Sequence, residues 1–229
     1  MRNNPLLYSP LVFIFIFIFF ILGAFLFALV QIGLIGYTFA KIGVAPQYMF
    51  LFLLFSVFGA FINIPVARIP QAEVRGPEVV SFYGFRYVIP ATRRPTETVV
   101  AVNVGGALVP TGLSLYLLSM MADPLPALAA AAILSLIIKR LARPVPGLGI
   151  AVPTLIPPTL AALAAMILAP ENSAAVAYIG GTMGPLIGAD LLNLPKIKAL
   201  RAPVVSIGGA GTFDGIFLTG ILAVLLATL

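Results

Sequence analysis

Two aspartates lie inside apolar stretches near the C-terminal end of the chain, Asp190 in GTMGPLIGADLLNL and Asp214 in IGGAGTFDGIFLTG. An ionised carboxylate is costly at membrane depth, so an acid embedded in such a stretch is a functional-site candidate by default. Seven residues of the chain are acidic, and these two are the embedded ones. Two carboxylates held close together do not both ionise easily. One keeps its proton, and the resulting acid and base can activate a water between them. The chain has no His and no Cys. That removes Ser–His and Cys–His nucleophiles, His-based metal sites, thiolate clusters and disulfides. A carboxylate pair needs none of these, and neither a metal nor a cofactor is expected.

The segments that must position the pair share a local pattern: Asn103-Val-Gly-Gly-Ala-Leu-Val-Pro110, Tyr178-Ile-Gly-Gly-Thr-Met-Gly-Pro185 and Ser206-Ile-Gly-Gly-Ala-Gly-Thr-Phe213. Paired glycines followed by proline weaken or break a helix. Irregular backbone at membrane depth is tolerated only where protein buries it or where it lines a wet cavity. Close helix packing through glycine is the plainer reading, but it leaves the polar residues around these breaks unexplained. A shared polar cavity is therefore expected, built by the third, sixth and seventh apolar spans, which carry these patterns, with Asp190 and Asp214 as catalytic candidates. Asn103, Asn193, Thr212, Gly208, Gly209 and Gly211 are expected around it, binding substrate or ion. If 207–211 is non-helical and Thr212 caps the following helix, Asp214 falls in the first helical turn, near the level of Asp190.

The elements are those of an all-α integral membrane protein. Of 229 residues, 61% are hydrophobic and 9% charged, with a mean hydropathy of +1.14, outside the range of soluble domains. About seven spans are expected, some interrupted by Gly and Pro: 11–37, 46–66, 98–121, 124–139, 150–169, 173–194 and 203–228. The uncharged run Leu11–Val30 is too long for a signal-peptide core and reads as a retained first span. The irregular, proline-rich start of the fifth span (Pro153, Pro157, Pro158) suits either a re-entrant mouth or a delayed helix. Between the second and third spans, 67–97 is a small extramembrane insertion. In it VVSFY and FRYVI, joined near Gly84, read as a β-hairpin. The whole forms one polytopic domain. Counted by connection, twelve of the Lys and Arg residues fall on one side and one on the other. The positive-inside rule then places the N-terminus and the insertion in the cytoplasm and the C-terminus outside the cell membrane. The net charge of +6 follows from this topology, so lipids rather than nucleic acid are the expected partners.

One acid ending the sixth span, and a second after a Gly-x-Gly stretch at the start of the seventh, resembles the GxGD intramembrane aspartyl proteases, which include presenilin, signal peptide peptidase and the prepilin peptidases. The opposed directions of those two spans match as well. The resemblance implies peptide-bond hydrolysis of a membrane peptide by an Asp190/Asp214 dyad. It covers about 40 residues, and Asp214 stands two positions further on than the motif has it (Gly209-Ala-Gly211-Thr-Phe-Asp214). NVGGALVPTG, GGTMGPLIGADLLNL and GGAGTFDGIFLTGIL are also similar to a family of bacterial and archaeal membrane proteins of unknown function, and that similarity implies no activity. Two other classes compete. A cation- or proton-coupled transporter would use the same aspartates with Asn103 and Thr212; the chain is small for a single-chain transporter, which a homo-oligomer could remedy. A scaffold would pair Asp190 with Lys196 or with the amides around Thr212.

Overall fold

The computed structural model describes residues 10–70, 78–82, 85–89, 97–145, 149–196, 202–209 and 215–228. The chain divides into two units, Met1–Tyr37 and Thr38–Leu229. The first is the greater part of helix α1 (Pro10–Lys41), 32 residues long, about 48 Å at 1.5 Å per residue.

The second unit is mostly helical with small sheets. Helix α2 (Pro46–Gly59) precedes β1 (Asn63–Pro70), and the hairpin β2 (Glu78–Phe82) and β3 (Phe85–Ile89) follows. Then come β4 (Glu97–Asn103), a π-helical turn Val104–Leu108, α3 (Val109–Met120) and α4 (Leu125–Leu141). A short hairpin of β5 (Arg143–Val145) and β6 (Gly149–Ala151) leads to α5 (Ile156–Leu168). Next are α6 (Ser173–Pro185), its π and 3-10 extension to Lys196, β7 (Val204–Ile207) and α7 (Gly215–Ala227).

α6 is the axis of this unit. Its sequence, SAAVAYIGGTMGP, is small or apolar all round, and Ala174–Thr182 are all buried. A helix of that composition belongs in the centre of a bundle. α4, α5 and α7 surround it. Gly180 lies against Ala130, Gly184 against Leu134 and Gly188 against Ser135. The numbering rises together on both elements, so α4 and α6 run parallel. Thr182 meets Gly220 and Ser173 reaches the Ala227 carbonyl, so α7 runs antiparallel to α6.

The outward faces are as apolar as the inward ones. α4 buries Ala127, Ala130, Ala131, Leu134, Ser135 and Ile138, while Leu125, Leu128, Ile133 and Leu136 are exposed. Apolar groups therefore cover the outer face of α4 as well as its inner one.

Three of the expected spans, 46–66, 98–121 and 203–228, contribute strands to one sheet, and a fourth, 150–169, opens in the β5–β6 hairpin. The interval 46–66 is helical to Gly59 and becomes β1 at Asn63. In 98–121, β4 runs to Asn103 before the helix. In 203–228, β7 and a turn precede α7. These strands form one sheet of order β1–β4–β7, with β4 antiparallel to β1 and parallel to β7. The β-branched runs TVVAV and VVSI favour extended backbone, and each gains ladder partners in this sheet. The expected hairpin is present, with Val79 opposite Val88 and Ser81 opposite Arg86. α5 begins at Ile156 with Pro157 and Pro158 in its first turn, so the irregular start is a delayed helix, where proline is tolerated. Among the described residues, one helical run, Pro170–Lys196, is long and apolar enough to cross a membrane.

Candidate functional site

Asp190 ends the π-helical turn Leu186–Asp190 that continues α6. Pro185, one residue before that turn, has no N–H to give to the helical ladder, and π turns of this kind recur at functional sites. Beyond it the backbone tightens into a 3-10 segment, Leu191–Lys196. Asn193 bridges the change of pitch. Its Nδ2 donates to the carbonyls of Gly188 (2.9 Å) and Ala189 (3.0 Å). Its Oδ1 is buried with no partner among the described residues.

Opposite Asp190 is the turn that follows β7. The Gly208 N–H donates to Asp190 Oδ2 at 2.7 Å. Gly208 has φ +86° and Gly209 φ +102°, backbone that L side chains rarely adopt. A Cβ on Gly208 would stand 2.6 Å from the Ala107 nitrogen. Gly208 therefore answers two demands at once: a left-handed turn, and close approach to the other glycine-rich junction at Gly106-Ala107. Two of the three Gly-Gly patterns meet here as strand-to-helix junctions carried on parallel neighbours. The third, Gly180-Gly181, lies inside continuous helix, where it serves packing.

Asn103 belongs to the neighbouring junction. Its Oδ1 accepts from Gly106 N (2.8 Å), capping the π turn, and its Nδ2 donates to the Ala60 carbonyl (2.8 Å) and to Asn63 Oδ1 (3.1 Å). Ser206 Oγ donates to the same Asn63 oxygen. Asn103 is thus one amide and one hydroxyl removed from the cavity described next, and its polar atoms are engaged by protein. Asn63 and Ser206 were not singled out in the sequence. An amide at the end of the mostly apolar run 46–66 was the available signal.

A cavity of about 490 Å³ opens beside Asp190. Its wall includes all six residues from Ala202 to Ile207. A strand presenting one face would contribute every second residue. Consecutive lining means that the cavity lies along the edge of β7, the edge not paired with β4. Facing it are Gly149, Ile150, Val152, Pro153, Thr154 and Pro157 at the start of the fifth interval, together with Gly209, Ile216 and Thr219. The cavity is therefore built by the fifth, sixth and seventh intervals rather than the third, sixth and seventh. Gly211, Thr212 and Asp214 lie outside the described residues. Gly209, five residues before Asp214, and Ile216, two residues after it, both line the cavity.

No curated protein and no solved structure matches the chain. A family model described as protein of unknown function (DUF1614) matches residues 57–226, which takes in both glycine-rich junctions, the bundle around α6 and the whole cavity wall. With well over half of its length matched, the chain belongs to the DUF1614 family.

Proposed function

We propose that this protein is a multi-pass membrane hydrolase that cleaves extended peptide segments with a water activated between Asp190 and Asp214. The observation that carries the reading is the seat of Asp190: a carboxylate tied to the Gly208 amide beside a cavity that runs along the β7 edge left unpaired among the described residues. A free edge offers N–H and C=O groups in the spacing an extended peptide can pair with. The short connection bearing Asp214 joins two residues of the same cavity wall, which supports a pair. In the reaction, one carboxylate takes a proton from water as its oxygen attacks the scissile carbonyl carbon. The protonated partner gives its proton to the carbonyl oxygen. Collapse of the diol breaks the C–N bond, the nitrogen leaves with a proton, and water is consumed.

Membrane residence rests on the mean hydropathy of +1.14, the apolar outward faces of the bundle, and the unequal distribution of Lys and Arg. Helices of 12–14 residues such as α2, α3, α5 and α7 are shorter than a hydrocarbon core of about 30 Å. With their strands, 98–121 and 203–228 become strand–helix units, and non-helical backbone at membrane depth is tolerated where protein buries it or where it lines a cavity. α4 and α6 run in one direction and α7 in the other, which agrees with alternation of the fourth, sixth and seventh spans. The side bearing the sheet and Lys196 would be cytoplasmic.

The test is cleavage of a transmembrane-peptide substrate by the purified chain in liposomes, comparing wild type with Asp190→Asn and Asp214→Asn at matched thermal stability. Cleavage lost in both variants supports the dyad. A second reading has its own observation: the Gly208–Asp190 hydrogen bond also serves as a latch between α6 and β7. A structural latch predicts that Asp190→Asn, which keeps an acceptor oxygen, behaves as wild type in every assay.

A further inference from the structure

A second concave feature lies at the end of the bundle where α4 and the α6 extension finish. It is a groove of about 700 Å³ lined by Leu136, Ile137, Lys139, Arg140, Leu141 and Lys196. Half of the lining is cationic and half aliphatic. Lys139 and Arg140 stand in the last turn of α4, and Lys196 ends the 3-10 segment. The parallel packing of the two helices brings these ends to the same side. All three cations are exposed. The ion pair found among the described residues, Arg68–Glu97, involves none of them. The chain has little to neutralise them with. Between Lys139 and Arg201 its acids are Glu171, at the opposite end of α6, and Asp190, which is engaged by Gly208.

We infer that this groove binds an anionic phospholipid, its phosphate held by Lys139, Arg140 and Lys196 and its acyl chains lying along the exposed stripe of α4. Charge alone would suit any polyanion. The stripe selects lipid: Leu125, Leu128, Ile133 and Leu136 run up one side of α4 directly to the cations. That places an apolar track and a cationic head end to end, in the order a lipid presents them at a membrane interface. The inference depends on the membrane residence proposed above and not on the chemistry at Asp190.

The test is native mass spectrometry of the full-length chain in detergent, titrated with phosphatidylglycerol or with phosphatidylcholine of the same acyl chains. Phosphatidylglycerol is expected to bind more tightly. Each of Lys139→Gln and Lys196→Gln should weaken it about fivefold, and the pair about 25-fold, from the usual contribution of a basic residue near an anionic surface. Lys196→Arg should retain binding, and Arg68→Gln, away from the groove, should leave it unchanged. The exposed positions make these variants compatible with folding, which a thermal melt without lipid checks. Equal binding of the two lipids overturns the inference, as does binding that survives the double substitution or falls equally with Arg68→Gln. Full displacement by inorganic phosphate would make the groove a free-phosphate site, and tighter binding of a polyglutamate peptide would make it a protein-docking site. Either result overturns it. Release of the chain from membranes by carbonate alone would overturn membrane residence itself.

Discussion

Asp190 and Gly208 are 18 residues apart and meet through one hydrogen bond of 2.7 Å, so each can be tested by what its loss leaves behind. Asp190→Ala leaves the Gly208 N–H without its acceptor and should lower stability by about 1–3 kcal/mol. Asp190→Asn keeps an oxygen there and should change stability by less than about 1 kcal/mol, while removing hydrolysis by at least about 100-fold if the carboxylate does acid–base work. Thermal melting and a cleavage assay on the same two preparations separate these effects. Gly208→Ala meets both a φ of +86° and the Ala107 backbone at 2.6 Å, and should cost about 3 kcal/mol or fail to fold. At this scale the sequence pointed to Asp190 through the cost of a carboxylate in apolar surroundings. It could not assign Asn103 its place, because Asn103 is bonded to residues 40 and 43 positions away.

Glycine has different work in different elements, and single substitutions show which. Gly220 faces Thr182 and Tyr178 across the α6–α7 contact, where a Cβ would stand 2.6 Å from the Thr182 methyl. Gly220→Val should therefore separate the two helices and cost about 1–3 kcal/mol in thermal unfolding. Gly112, on α3, has nothing within 4 Å of an added Cβ. Gly112→Ala should raise stability by up to about 1 kcal/mol through helix propensity alone. Both glycines look alike in an apolar sequence. The patterns at 103–110 and 206–213 likewise resemble that at 178–185, yet the first and third follow strands and the second lies inside a helix. What separates them is upstream: TVVAV and VVSI are β-branched runs, whereas SAAVAY is rich in alanine. That signal was present, but uniform hydrophobicity masked it, because a buried strand and a buried helix read the same by periodicity.

For the molecule as a whole, topology is the measurable quantity, and the absence of native cysteine makes it convenient to measure. Single cysteines at Arg140 and at Glu171 should label from opposite faces of a sealed vesicle, with Arg140→Cys reached from the cytoplasmic side. Labelling of both from one face would rule out a single crossing by α5 between them and with it the seven-span alternation. Composition, the lack of His and Cys, the 67–97 hairpin and the apolar sequence around the two acids were decided by the sequence alone, because each depends on residue type or on neighbours a few positions away. The tertiary structure decided which apolar stretches became strands, that the cavity follows the edge of β7 rather than the third interval, and that Asp190 is held by the Gly208 amide. Those outcomes depend on pairing between segments remote in sequence. A strand needs a partner to satisfy its backbone, and a cavity needs walls from several segments at once, so neither can be read from any one stretch of the chain.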